Sequence, residues 1–236
     1  LLLKLDGEGK LEFMRTYGDT LHRNYAFDLI ETNDGGFAIT GSTTLNKENF
    51  QSYPDVFLIR TDAQGDTLWT RAYTGTANDR SDIGSSVVQT PDGGFAVAMA
   101  TLSYPGTGFV PNKHVILKTD SEGQLEFSRS YSGGSSHYPE LRPMQFGDGY
   151  VLSGFSTTET TSFSPVIYFL DKNFEGSCEI EERTGLTLQM QPPFVVTSPS
   201  TVQGEGANFG ASQFRDTVSL NTITLCENIE VDSCDE

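Results

Sequence analysis

Aspartates recur in this chain where a carboxylate could bind a cation, hold a turn or serve acid–base chemistry. The stretches "LDGEGK", "TNDGG" and "TPDGG" place Asp6, Asp34 and Asp92 in glycine-rich turns, and Asp62 and Asp120 sit in turns like that of Asp6. Calcium is the ion such turns would suit, but it wants about six to eight converging oxygens. Each turn offers one or two carboxylates and uses the aspartate itself, so the pattern favours turn architecture, and no cofactor is expected. Paired acids for glycoside cleavage must stand roughly 5 to 9.5 Å apart, which spacing along the chain does not fix for 32 acidic residues. No GxSxG, HExxH, P-loop or GxGxxG occupies a strand–turn–helix context, and "GEGANFG" has no lysine or following helix. His22, His114 and His137 stand far apart, and Cys178, Cys226 and Cys234 form no zinc spacing.

The elements that carry these residues are repeated. "LLLKLDGEGKLEFMRTYG" from Leu1, "VFLIRTDAQGDTLWTRAYTG" from Val56 and "HVILKTDSEGQLEFSRSYSG" from His114 align, with Asp6, Asp62 and Asp120 separated by 56 and 58 residues. "VIYFLDKNFEGSCEIEERTG" from Val166 is a degenerate fourth copy, aligned with Asn173 in the aspartate position and Gly176 matching Gly123. A second marker, "TNDGGFAITGST" and "TPDGGFAVAMAT", recurs 58 residues apart, with a looser copy in "FGDGYVLSGFST". Each repeat therefore reads strand, D-x-x-G turn, strand, loop, strand, DGG turn, strand, long variable loop.

Alternation within these segments is that of strands. One face carries Phe13, Arg15 and Tyr17, then Trp69, Arg71 and Tyr73, then Phe127, Arg129 and Tyr131. An arginine held between aromatics adds about 0.5–2 kcal/mol by cation–π contact, so the arginines read as architecture. Gly9, Gly65 and Gly123 take the positive-φ place of the D-x-x-G turns, while Asp34 and Asp92 act as acceptors in the DGG turns. Tandem four-stranded units of this length predict an all-β chain of β-propeller-type blades, over residues 1–185 with repeats starting near 1, 56, 114 and 166. Three blades and half of a fourth fall short of the about four to eight of a closed ring. Upstream blades, an open arc and rings completed between chains are the three solutions, the first preferred. The opening "LLLKLDGEGK" reads as the middle of a strand, hence as the start of a portion of a longer chain.

From about residue 186 to residue 236 the composition turns to Thr, Ser, Gln, Pro and Gly with short apolar strands, a β-rich C-terminal segment. A bridge between Cys178 and Cys226, 48 residues apart, would pin it to the last blade, worth about 4 kcal/mol. It would also imply an oxidising compartment, with Cys234 left over or paired elsewhere. A net charge of −17 repels phosphate backbones, so nucleic acid is not an expected partner. No apolar run approaches the roughly 18 residues of a membrane-spanning helix.

The pattern L-K-T-D-x-x-G-x-x-x-W-x-R-x-Y-G followed by T-x-D-G-G-F-x-x-x-G-x-T resembles the repeats of large secreted and surface proteins of Bacteroidota, many with type IX secretion signals. The resemblance covers about residues 1–185, and the passage through "GSC" to "LC" is similar to the segment that succeeds such propellers. It implies export, an extracellular or cell-surface place and membership in a longer polypeptide. No type IX sorting domain is visible here, so that route comes from the resemblance alone. "TDAQGDTLW" is similar to the Asp-box of sialidase-like propellers, with one extra residue between Asp62 and Gly65; that box is a fold element, and a sialidase would need clustered arginines. Binding is expected of the variable loops, through Tyr53, Tyr104, Phe109, His137 and Tyr138. The function expected is a non-catalytic extracellular module for surface structure, adhesion or contact with protein chains or glycan. The alternative is a polysaccharide-processing enzyme on the same scaffold.

Overall fold

A computed structural model describes residues 1–18, 22–44, 53–74, 81–101, 113–131, 138–157, 163–176, 180–181 and 189–190. All lie in the first of the chain's two units, Leu1–Pro199. These residues form strands and turns with no helix among them. Strands β1 (Leu2–Leu5) and β2 (Leu11–Arg15) form a hairpin. Then β3 (Asn24–Glu31), β4 (Phe37–Thr43), β5 (Asp55–Thr61) and β6 (Thr67–Thr74) pair in sequence order, all antiparallel. β7 (Asp82–Gln89), β8 (Phe95–Thr101), β9 (Lys113–Thr119) and β10 (Leu125–Tyr131) repeat the arrangement. A third sheet holds β11 (Glu140–Pro143), β12 (Tyr150–Thr157) and β13 (Phe163–Leu170). Two-residue strands β14 (Ile180–Glu181) and β15 (Gln189–Met190) add to the outer edges of β10 and β6.

The expected turns are built as their sequences dictate. Asp62 Oδ1 accepts the backbone N–H groups of Gln64 and Asp66 at 2.9 and 2.8 Å, and Gly65 adopts φ +76°. Asp6 and Asp120 do the same, followed by Gly9 and Gly123 at φ +82° and +74°. In the DGG turns Gly35 and Gly93 carry the positive φ. The fourth copy differs from the alignment: Asp171, not Asn173, accepts the turn N–H groups, from Asn173 and Glu175 at 2.8 Å each. Phe174, not Gly176, takes the left-handed place at φ +62°. The copy looks degenerate in sequence because a buried phenylalanine replaces the glycine.

A second difference concerns phase. The variable segment 44–54 joins β4 to β5, which are hydrogen-bonded neighbours, and 102–112 likewise joins β8 to β9. Each sheet thus begins halfway through the sequence repeat, at the strand before the DGG turn. The hairpins about the D-x-x-G and DGG turns were signalled; which hairpins share a sheet, and the edge strands β14 and β15, were not.

Sheets stack face to face, and the core lies between them. Leu2, Phe37, Ile39, Phe57 and Ile59 fill the first interface. Ala38, Leu58, Val87, Val97 and Leu117 are among those in the second, and Ala96, Ile116, Leu141, Leu152 and Leu170 in the third. β4, β5 and β8 are buried along their whole length because both their faces are covered.

The aromatic–arginine–tyrosine face of each outer strand docks on the D-x-x-G turn of the following repeat. The Tyr17, Tyr73 and Tyr131 hydroxyls donate to the carbonyls of Gly65, Gly123 and Phe174 at 2.7, 2.8 and 2.8 Å. Each arginine lies over the ring two residues earlier, Arg71 at 5.3 Å from the Trp69 centroid and Arg129 at 4.6 Å from that of Phe127, rather than between two rings. Burial pushes the Tyr17 phenol up to about 12 and raises Tyr73 and Tyr131 too. At the Gly123 docking point a side chain would collide, since a Cβ there would stand 2.8 Å from Trp69 Cζ3 and Arg71 Cγ, whereas Phe174 holds the equivalent place in the third joint. Removing one hydroxyl leaves a buried carbonyl unpaired. Tyr73→Phe is expected to lower unfolding stability by about 1–2 kcal/mol in urea titration, and Tyr17→Phe, in a half-buried setting, by less.

Candidate functional site

Polar and aromatic side chains gather where the first strands of three consecutive sheets, β3, β7 and β11, come together. The pairing of β3 with β4 shifts between Ala26 and Asp28, and that of β7 with β8 between Gly84 and Ser86, leaving Phe27 and Ser85 as the extra residues of two equivalent bulges. A bulge bends its strand and re-aims the neighbouring side chains. Asp28 is turned toward the next sheet, where Oδ2 accepts the Val87 N–H at 2.9 Å and the Ser86 hydroxyl at 3.1 Å. Arg142 Nη1 approaches the same oxygen at 3.5 Å, while its Nη2 pairs with Glu140 at 2.8 Å. Ser86 Oγ lies 3.1 Å from the Leu141 carbonyl, and Ser85 Oγ bonds that of Pro139.

Beside this network stand exposed rings. Phe27 and Tyr138 pack with centroids 5.3 Å apart, and Tyr25 is exposed on the same strand as Phe27. The arrangement offers flat apolar faces beside a guanidinium that is half exposed and already paired, which suits stacking against a sugar or a peptide side chain.

Of the residues expected to bind, Tyr138 joins this cluster. Tyr53 is exposed in the connection just ahead of β5. Tyr104, Phe109, His137, Cys178 and Cys226 lie outside the described residues. Sequence reasoning missed Phe27, Asp28 and Arg142. Asp28 had a signal, a lone carboxylate inside the apolar run "YAFDLI"; Phe27 reads in sequence as one more core residue, whereas it is exposed together with Tyr25, Ala26 and Leu29 of β3.

The recurrent acids have other tasks. The Arg60 guanidinium bonds both carboxylate oxygens of Asp34, and Lys118 Nζ bonds Asp92 Oδ2 at 2.8 Å and Glu126 Oε2 at 3.0 Å. Among the described residues no three His, Cys, Asp or Glu side chains group as a metal site needs. His114 is buried against the Tyr168 ring, and burial pulls its imidazole down to about 4.

No protein-family model and no curated protein matches the sequence. No helix among the described residues is long and apolar enough to cross a membrane. Fold and site together define an all-β protein of stacked antiparallel sheets.

Partial burial raises the Asp92 carboxyl, but the Lys118 ammonium, the Thr90 hydroxyl and the Gly94 N–H outweigh it and bring it down to about 2. Asp34 is lowered as well, first by the Thr32 hydroxyl and further by Gly36 and Arg60. A carboxyl more acidic folded than unfolded stabilises the fold fully above its ordinary value of 3.8, and that contribution is lost as pH falls toward about 2. Acid titration of unfolding is expected to show a loss of stability between about pH 4 and pH 2, and Asp92→Asn is expected to flatten it.

Proposed function

We propose that this chain is a non-catalytic scaffold module in which the stacked sheets form a β-propeller-type arrangement. Its task is surface structure, adhesion or assembly, with contact to a protein chain or glycan made through the Phe27–Tyr138 edge. One observation carries this reading. The charged side chains that recur with the repeat are each built into contacts that hold hairpins or neighbouring sheets, as with Arg60 on Asp34, Lys118 on Asp92 and Arg129 on Glu175. Residues repeated for architecture do not need to converge on a reacting atom, whereas a catalytic set must.

The propeller-type arrangement is supported by the serial antiparallel order within each sheet and by the adjacency of β3, β7 and β11, the first strand of each. Stacked units of this kind bury faces that one unit alone cannot. An extracellular place, and a relation to the surface proteins of Bacteroidota, rest on the repeat pattern together with the cysteines near the end of the chain. That part of the proposal is tested by the thiol count of native, secreted material, where a bridged Cys178–Cys226 pair is expected.

Binding is tested on a glycan array and against extracted surface proteins. Phe27→Ala with Tyr138→Ala is expected to weaken the best ligand at least tenfold, about 1.4 kcal/mol, with the unfolding midpoint nearly unchanged because both rings are exposed. Release of reducing ends from any polysaccharide by the native chain would overturn the non-catalytic reading.

A further inference from the structure

We infer that the edge of β1 that pairs with no described strand is a docking site for one β-hairpin carrying a Thr-x-Asp-Gly-Gly-aromatic turn, whose aspartate pairs with Lys4 Nζ. The inference goes beyond the scaffold reading and does not depend on it. Lys4, Arg60 and Lys118 hold equivalent places, each two residues before its turn aspartate. In the two complete sheets this cation reaches across the strand pair to the aspartate of a DGG turn, Arg60 to Asp34 and Lys118 to Asp92. Lys118 also pairs with Glu126 at 3.0 Å, and Lys4 repeats that contact with Glu12 at 3.1 Å. The second carboxylate has no counterpart beside Lys4 among the described residues.

Exposure marks the same missing cover. The Lys4 side chain is 39% accessible, against 7% for Arg60 and 6% for Lys118. Leu3 is 47% accessible, and its equivalent Ile59 only 3%. Leu29 of β3 is 44% accessible, and its equivalent Val87 of β7, covered by the preceding sheet, 0%. β5 is hydrogen-bonded on both sides, to β4 and β6, whereas β1 pairs with β2 alone among the described strands. A cleft lined by Leu1, Leu2, Ala26, Phe27, Leu29 and Ile39 lies between β1 and β3, where the equivalents of β3 and β4 would be added.

Charge and shape define the occupant. An aspartate is needed for Lys4. The first residue after it takes a positive φ, as Gly35 and Gly93 do, and the second must be glycine, because a Cβ on Gly36 or Gly94 would come within 2.2 or 2.1 Å of the carbonyl of Thr61 or Thr119; Leu5 offers the equivalent carbonyl. The docked strand then runs antiparallel along Leu2–Leu5, as β4 runs along β5. A second copy of this chain is a poorer occupant, since its own hairpins of this type already pair with β5, β9 and β13.

The probe is a fluorescent peptide with the sequence of Asp82–Thr101, the chain's own β7–β8 hairpin, titrated into the intact chain by anisotropy. Saturable one-to-one binding is expected. Either Lys4→Met in the chain or Asp92→Asn in the peptide weakens it about tenfold, and the two losses do not add because they remove one pair. Gly94→Ala in the peptide removes saturable binding. Because an isolated hairpin is marginally stable, the same sequence is also fused ahead of Leu1 through a flexible linker; it raises the urea midpoint, and Asp92→Asn within the added copy reverses most of the gain. Equal affinity for native and Lys4→Met chains overturns the proposal. So does failure of both peptide and fusion, or self-association of the chain that the peptide cannot compete away.

Discussion

One hydrogen bond, repeated, sets the distance between sheets: a tyrosine hydroxyl at the end of an outer strand donates to the carbonyl of the last residue in the next D-x-x-G turn. Tyr17, Tyr73 and Tyr131 make it to residues 48, 50 and 43 positions away. Antiparallel hairpins form from local signals, but nothing local tells one sheet where its neighbour lies. The tyrosine does so because its ring fills apolar space while its hydroxyl can reach a single kind of partner, a carbonyl aimed outward by a tight turn. The arginine over the neighbouring ring closes the same joint, Arg15 to Asp66 and Arg129 to Glu175. Turn, outer strand and core are therefore coupled: a turn that loses its shape moves its carbonyl and loosens the packing beneath it.

The joint also explains the use of polar residues in a chain with so much negative charge. The aspartates of the turns are occupied by backbone N–H groups, and those of the DGG hairpins by a cation from the following strand. Carboxylates held in this way stiffen backbone at the rim of each sheet. The polar set formed by Asp28, Ser86 and Arg142 differs in kind, since it joins three sheets and does not recur with the repeat. Its irregularity, together with the rings beside it, sets it apart as a place for a partner.

Much of this was legible in the sequence, and the parts that were not have physical reasons. Asp6, Asp62 and Asp120 with Gly9, Gly65 and Gly123 announce turns because a carboxylate acceptor and a positive φ are demands met within four residues. Phe13, Arg15 and Tyr17 announce a strand face because alternation is local too. The grouping of hairpins into sheets could not be read: a repeat cut at any point gives the same periodic string, and only the pairing of β4 with β5 across segment 44–54 fixes the phase. Asp171 is masked by Asn173 in the alignment because the glycine usually marking the turn is Phe174, whose burial compensates a backbone conformation rare for its type. Phe27 was invisible as a surface residue because an aromatic inside an apolar run reads as core, and nothing local says that this face of β3 stays exposed.

The offset between covalent repeat and sheet has a consequence for how such a protein changes length. Each sheet is assembled from the end of one repeat and the beginning of the next, while every joint ties one repeat to the one that follows it. Unequal recombination between two equivalent points, wherever in the period the crossover falls, inserts or removes one whole sheet together with one whole joint. No hairpin is orphaned and no tyrosine is left facing the wrong turn. Growth and shrinkage by complete units thus become the mutations this architecture tolerates most readily, while divergence of the variable segments that connect β4 to β5 and β8 to β9 in sequence leaves that count unchanged.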